Sequence, residues 1–296
     1  FLMFMPTSPS TPSRAKKSNI RPVTSSPATT PIKIIGTNDK PEIDCRKENS
    51  DSDSADLTES DAGLTESGHL TLTDVDIKDT VSTQLESVDI DHVNSTYKGD
   101  LPKDLDLNAL QGMLNLSNGT IANDSNTGTI NWTFNSGSEA FNFLGEGETL
   151  VLKYQIKSTD DSGSDNDSDS HTITVTITGT NDAPKISAIS GDVTEDGTTA
   201  ASGSVMDHVT DADVSDSHTV SYAGDQDMTG DSITLDGTYG KITINKDGTY
   251  EYKLNNDADN VQQLAKDQTV TDTFKVTVTD GSNDGTAELC DRLCGK

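Results

Sequence analysis

Ile177-Thr178-Gly179-Thr180-Asn181-Asp182-Ala183-Pro184 closes an alternating run in which Ile173, Val175 and Ile177 share one face and Thr172, Thr174 and Thr176 the other. That period of two marks a half-buried β-strand. The strand stops at Gly179, and Pro184 lacks the N–H that a ladder would require. The same wording occurs earlier as Ile34-Ile35-Gly36-Thr37-Asn38-Asp39-Lys40-Pro41, with Gly36 lying 143 residues before Gly179. A strand that ends in a stiff Asn-Asp-x-Pro joint, used twice, predicts an all-β chain of tandem sandwich modules.

The totals narrow the class. Fifty acidic residues stand against 21 basic ones in 296, a formal net charge of −29, with 30 % hydrophobic and 4 % aromatic residues. So little apolar material suits several thin cores better than one large one. The acid excess excludes nucleic acid and anionic lipid as partners, since both need clustered Lys and Arg. It also asks for bound cations to relieve self-repulsion. No apolar run approaches the roughly 20 residues of a membrane span, so no membrane insertion is expected of this segment. Phe1-Leu2-Met3-Phe4-Met5 is too short for a signal-peptide core and runs into Pro6, so no conventional secretion signal is expected. Cys45, Cys290 and Cys294 are too few for a disulfide framework and read as stray thiols.

Residues 1–33 are rich in Pro, Ser and Thr, carry Arg14, Lys16, Lys17, Arg21 and Lys33, and hold no acid. Such a tract cannot offset its chain entropy by burial and is expected to be a disordered tail. Residues 34–178 are expected to form a degenerate first module, with a short helix over Leu105–Leu114 and strands at 130–134, 150–156 and 172–178. Asp160–Ser170 reads as a solvated hairpin loop. Residues 179–285 repeat the plan. Thr210–Asp216 matches Thr73–Asp79 at an offset of 137, and Leu264–Thr269 matches Leu144–Thr149 at an offset of 120. An offset that shrinks from 143 to 120 describes a degenerate repeat with shortened loops. Strands are expected at 242–245 and 249–254, joined by Asp247-Gly248, and at 273–279. No onward strand is recognisable after Gly281, and residues 286–296 read as an atypical, truncated end.

The stretch Asp236–Gly281 resembles the VCBS repeat through three words. These are Lys246-Asp247-Gly248-Thr249-Tyr250-Glu251-Tyr252, Val261-Gln262-Gln263-Leu264, and the run from Thr269 to Gly281. That repeat occurs in tandem, with cadherin-like and RTX-type modules, in very large bacterial surface adhesins, and the joint Gly179–Pro184 is similar to their linker. The glycine-rich nonapeptide repeat of RTX toxins does not occur in the sequence. The resemblance implies Ig/cadherin-like β-sandwiches at the bacterial cell surface or outside the cell. It further implies a structural extender that supports adhesion or biofilm formation, with neighbouring repeats of the same array as partners.

Two acidic words have ligand spacing. Asp211 with Asp213, and Asp74 with Asp76, place paired carboxylates on one side of an extended segment. A third oxygen donor from a neighbouring joint would complete a cage suited to Ca²⁺, which takes 6–8 oxygens in irregular geometry. Cadherin-type joints combine an Asp-x-Asp pair, a linker Asn-Asp and an early Glu. The resemblance therefore implies Asn181, Asp182, Glu195, Asp211 and Asp213 as ligands in the second module and Asn38, Asp39, Asp74 and Asp76 in the first. The alternative is that these are solvated turn residues, since Asp and Asn favour turns for backbone reasons. Asp165–Asp169 mimics the opening of an EF-hand loop without its Gly or closing Glu and reads as a plain acidic loop.

Catalysis finds no support in the pattern. His69, His92, His171, His208 and His218 are scattered, and neither a zinc-protease spacing nor a nucleophile elbow occurs. No enzyme is expected. Two function classes stay open: an adhesin extender, and a module that itself recognises a glycan or a protein. Exposed aromatics would favour the second, whereas Trp132, on an alternating strand, is expected in a core. Limited proteolysis should remove residues 1–33 without moving the melting transition, and a protected fragment beginning at residue 1 would contradict this.

Overall fold

A computed structural model of the chain describes residues 32–282 and the backbone of residues 284–294. Most of the expected disordered tail lies outside the described residues, and Ile32 and Lys33 belong to neither helix nor strand. The chain divides after Thr37 into a short unit and a unit that holds two sandwiches.

The first sandwich contains β1 (Glu42–Asp44), β2 (Ser54–Thr58), β3 (Thr65–Thr73), β4 (Val81–Ile90), β5 (Leu114–Ser117), β6 (Thr120–Ile121), β7 (Thr127–Asn135), β8 (Thr149–Asp160) and β9 (Ser168–Thr178). One sheet has the order β1-β3-β7-β5 and the other β2-β9-β8-β4-β6. The alternation read from the sequence decides which side chains meet between them. Leu70 and Leu72 of β3, Ile130, Trp132 and Phe134 of β7, and Ile173, Val175 and Ile177 of β9 are each at most 1 % exposed. Burying polar atoms with them requires partners, and they have them. Trp132 Nε1 donates to Ser52 O at 2.7 Å, and Tyr154 OH donates to Leu110 O at 2.9 Å. Leu110 lies on the short helix α1 (Leu107–Gly112), whose first turn is capped by the Asp106 carboxylate accepting from Ala109 N at 2.8 Å.

The second sandwich contains β10 (Lys185–Ile186), β11 (Ile189–Thr194), β12 (Ala200–Ser204), β13 (Val209–Thr210), β14 (Thr219–Ala223), β15 (Gln226–Asp227), β16 (Ser232–Asp236), β17 (Gly240–Asn245), β18 (Thr249–Leu254), β19 (Thr269–Thr279) and β20 (Asp284–Cys294). Its two larger sheets run β11-β20-β19-β14-β15 and β12-β18-β17-β16, with β10 paired to β13, around a separate core that includes Val193, Val220, Ile242, Ile244, Tyr252, Val276 and Val278. The Asp247-Gly248 turn joins β17 to β18, with Gly248 at φ +88°, where a side chain would be strained. Asp272 is 4 % exposed yet well satisfied: it accepts from Thr238 N, Tyr239 N, Gly240 N and Tyr252 OH at 2.7–3.1 Å.

The chain end differs from the sequence reading. Instead of an atypical end without an onward strand, the backbone of Asp284–Cys294 forms β20, antiparallel to β19 from Thr279↔Asp284 to Thr269↔Cys294 and parallel to β11. A β19 of eleven residues would otherwise present a long unpaired edge, and backbone pairing does not require alternating side chains. Ala287, Leu289 and Leu293 alternate with Glu288 and Arg292, but Asp291 and the two cysteines interrupt the pattern, which is why the strand was not legible. β20 fills the place that β9 fills in the first sandwich, where β9 is likewise parallel to β2 and antiparallel to β8.

Phe274 is 6 % exposed and packs against the Tyr252 ring with centroids 6.2 Å apart. Phe274→Ala should cost about 3–5 kcal/mol in denaturant unfolding; a loss under about 1 kcal/mol would show that β19 does not carry the core.

Candidate metal centre

Both Asn-Asp joints are fastened by one set of hydrogen bonds, used twice. At the first, Asn38 Nδ2 donates to Asp160 Oδ2 at 3.1 Å and Asp39 N donates to Asp76 Oδ2 at 2.7 Å. Asp76 N donates to Asp74 Oδ1 at 2.9 Å, and Ser162 N to Asp160 Oδ1 at 2.9 Å. At the second, Asn181 Nδ2 donates to Asp280 Oδ2 at 3.1 Å and Asp182 N to Asp213 Oδ2 at 2.8 Å. Asp213 N donates to Asp211 Oδ1 at 3.1 Å, and Ser282 N to Asp280 Oδ1 at 2.6 Å. The three sequence offsets, 143 at the joint, 137 at the Asp-x-Asp word and 120 at the strand-ending acid, converge in space at each site.

Local structure explains the convergence. The second joint follows β9, the Asp-x-Asp words follow β3 and the short β13, and Asp160 and Asp280 lie where β8 and β19 end. Around the second joint the first sandwich contributes a base. Thr180 N and Oγ1 both donate to Glu59 Oε2, at 2.9 and 2.5 Å, and Gly145 N donates to Glu148 Oε2 at 3.1 Å. The approach is close: a Cβ on Gly179 would overlap the carbonyl oxygens of Leu144 and Gly145, and one on Gly145 would meet Ser215 Oγ at 3.0 Å.

The resulting electrostatics are one-sided. Asp213 is 1 % exposed and its Oδ1 has no hydrogen-bond partner; Asp74, 4 % exposed, likewise leaves Oδ2 unpartnered. Burial, together with the charges of Asp216, Asp182 and Asp211 and against the hydrogen bond from Asp182 N, pushes the Asp213 carboxyl up to about 6. Burial and then Asp211 and Asp280 raise Asp216; burial and then Glu59 and Asp61 raise Asp182. At the first joint burial and neighbouring acids raise Asp74 and Asp79. One carboxylate oxygen from each of Asp211, Asp216 and Asp280 lies within 4.8 Å of the others. Unpartnered buried oxygens beside clustered, mutually repelling carboxylates are a donor set that fits a hard divalent cation.

Eight of the nine residues expected from the sequence are brought together in this way, four at each joint. Glu195 is not. It follows β11, whose Thr194 pairs with Cys294 and so stands level with Thr269, whereas Asp280 follows the opposite end of β19. The glutamate that reaches the Asn181-Asp182 joint is Glu59, which follows β2 as Glu195 follows β11. Sequence reading also missed Asp160, Asp280, Asp79 and Asp216. The signal existed: Asp160-Asp161-Ser162 and Asp280-Gly281-Ser282 each end a long alternating strand, 120 residues apart. The loop Asp161–Asp167 is not idle either, since Asn166 O accepts from Asn38 Nδ2 at 2.6 Å, while Asp169 at the start of β9 pairs with Lys40. The two sites differ at one neighbour. His218 Nε2 lies 2.7 Å from Asp211 Oδ2, whereas the residue 137 positions earlier is Val81, 2 % exposed.

Residues 181–289 match the sequence profile of the family described as bacterial cadherin-like domain. No curated protein matches the chain in sequence. Among solved structures the chain is similar to mouse protocadherin-24 EC1-3, at 17 % identity over 82 % of this chain and 68 % of that one, with a TM-score of 0.35. It is similar to Drosophila N-cadherin EC1-4 at 12 % identity, 82 % and 48 % coverage and a TM-score of 0.28. An I-band fragment of titin follows at 9 %, 86 %, 66 % and 0.26. Overlaps this loose say nothing of function. The second sandwich is cadherin-like in sequence, and the chain is built of two β-sandwiches.

The raised carboxyl has a pH signature. Without cations the folded chain keeps the Asp213 proton up to about pH 6, while the unfolded chain releases it near about 4. The stability this contributes is complete below about pH 4 and is lost as pH rises through about 6. In chelator the melting temperature should therefore fall between about pH 4 and 6, and Asp213→Asn should flatten that slope; a flat wild-type curve would contradict the assignment.

Proposed function

We propose that the chain is a structural extender segment of a bacterial cell-surface or secreted adhesin of the VCBS and RTX-type class, stiffened by Ca²⁺ at its joints and supporting cell adhesion or biofilm formation. Its neighbouring repeats would be its partners, with modules at 34–178 and 179–285. The observation that carries this reading is the duplicated carboxylate cage, built each time on an Asn-Asp joint and leaving a buried carboxylate oxygen without a donor. Asp74, Asp76, Asp160 and the Asn38-Asp39 linker would hold a cation at the first head, and Asp211, Asp213, Asp216, Asp280 and the Asn181-Asp182 linker at the second, with Glu59 completing the joint from the preceding base. A bound divalent cation would neutralise the clustered acids and tie the linker to the sandwich that follows it.

Support for an extracellular, non-enzymatic role comes from the bacterial cadherin-like match. No helix among the described residues is long and apolar enough to cross a membrane. A glycan- or protein-binding role gains nothing from the aromatics. Trp132 is buried, and Tyr222 is the one aromatic left exposed among the described residues.

Extracellular calcium modules bind at about 10⁻⁴–10⁻³ M, so at about 1 mM free calcium each site adds only about 0.4–1.4 kcal/mol. Calorimetry and small-angle scattering with calcium or a chelator should show a lower melting temperature and a shorter average end-to-end distance in the chelator. Asp182→Ala and Asp280→Asn should each reproduce part of that change, and Asp167→Ala should not. Identical profiles in both conditions would overturn the proposal.

A further inference from the structure

At one position beside the two cages the repeat changes chemistry, and strand register and chain spacing agree on which position it is. Val81, at the start of β4, pairs across the ladder with Asp160, the acid that ends β8. In the second sandwich Thr219 pairs with Thr279, so the residue before it, His218, stands opposite Asp280, the acid that follows β19. His218 also lies 137 residues after Val81, the spacing that relates the two Asp-x-Asp words. A buried aliphatic side chain thus flanks the first cage where an imidazole flanks the second.

That imidazole faces the acids. Its side chain is 19 % exposed, and Nε2 lies 2.7 Å from Oδ2 of Asp211, whose side chain is 4 % exposed. Asp216, raised by burial and then by Asp211 and Asp280, is lowered by His218, so the ring stands near this carboxylate as well. Asp211, Asp216 and Asp280 place one oxygen each within 4.8 Å of one another. Among the same charges sits Asp213, 1 % exposed, with its Oδ1 unpartnered. A buried oxygen without a donor, beyond the acids themselves, points to a ligand. Cages of oxygen alone suit Ca²⁺ and Mg²⁺, whereas imidazole suits Zn²⁺ and other first-row transition cations. Zn²⁺ takes His nitrogen and Asp oxygen in one shell.

We propose that the second cage is a mixed nitrogen–oxygen site that prefers a first-row transition cation of the Zn²⁺ type to Ca²⁺. His218 Nε2 is the nitrogen ligand, and Asp211, Asp216 and Asp280 supply oxygens. The first cage, with Val81 in the matching place, takes only cations that seek oxygen. This rests on the reading of the joints as cation cages, though not on calcium being the ion at the second. Zinc arriving at the second cage displaces calcium there and leaves the first cage as it was.

Titration calorimetry of the full chain with Zn²⁺, in excess calcium and without it, should show a zinc ion that binds tighter than calcium. His218→Val gives the second cage the residue of the first. It should weaken zinc binding about tenfold or more and leave the calcium response of the melting temperature in place. His218→Asn should do the same, so the loss does not hang on how well the apolar replacement folds. Nitrogen NMR of the unaltered chain should show one histidine ring nitrogen moving to its metal-bound position with zinc and not with calcium. A histidine that served only as counter-charge for Asp211 would compete with every cation, and His218→Val would then tighten zinc and calcium alike. That result, zinc binding indifferent to both variants, or zinc no tighter than calcium would each overturn the proposal. If zinc binds through His218 while the calcium effects on melting and length are absent, the mixed site stands and the calcium reading falls. If the calcium effects persist without zinc binding that needs His218, the calcium reading stands and the mixed site falls.

Discussion

Carboxylates that a chain forces together must be answered either by positive charge or by N–H donors, and at both joints this protein answers them almost wholly with N–H donors. The backbone amides of Asp182, Asp213 and Ser282 and the side-chain amide of Asn181 each point at an acid. Such bonds favour the ionised form but do not cancel its charge. The joint is therefore shaped in advance of any counter-ion, with oxygens already turned toward one another and three of them, Asp74 Oδ2, Asp182 Oδ2 and Asp213 Oδ1, left without a donor. The long strands hold this arrangement in place, because Asp160 and Asp280 are positioned by the ends of β8 and β19.

The two sites share a plan but not a setting. At the second joint the base of the first sandwich closes in, through Glu59 and the Gly145–Glu148 turn, and the tight contact at Gly179 leaves no room for a side chain. Burial is consequently distributed differently: Asp213 is the deeply buried acid at the second site, and Asp74 at the first. His218 engages one oxygen of Asp211, while the corresponding oxygen of Asp74 has no such neighbour. Sites built from one repeat thus offer a cation different surroundings.

Alternation made the sandwich class legible, because period-two apolar residues on β7, β8, β9, β17, β18 and β19 leave little choice of structure. The Asp-x-Asp words and the Asn-Asp joints were legible for a different reason: short polar words flanking a proline are rare enough to be noticed when they recur. What could not be read was which end of a strand each acid occupies. Glu195 matches the expected early glutamate in order along the chain, but strand direction carries it to the far end of the sandwich, and Glu59 does the work at the joint. Asp160 and Asp280 were hidden by abundance, being two acids among 50. β20 was hidden because Asp291 and the two cysteines interrupt the alternation of Ala287, Leu289 and Leu293.

The parallel pairing of β2 with β9 has a mechanical consequence. Ser54↔Thr174 through Thr58↔Thr178 form a ladder between a strand near the entry of the sandwich and the strand that leaves it. Tension applied along the chain pulls these two parallel neighbours in opposite directions along their length. The hydrogen bonds that join them lie across that direction, so they are loaded in shear and share the force rather than opening one after another like a zip. β11 and β20 repeat the arrangement in the second sandwich. A rod made of such units resists extension at its strand ladders, and its compliance is left to the joints.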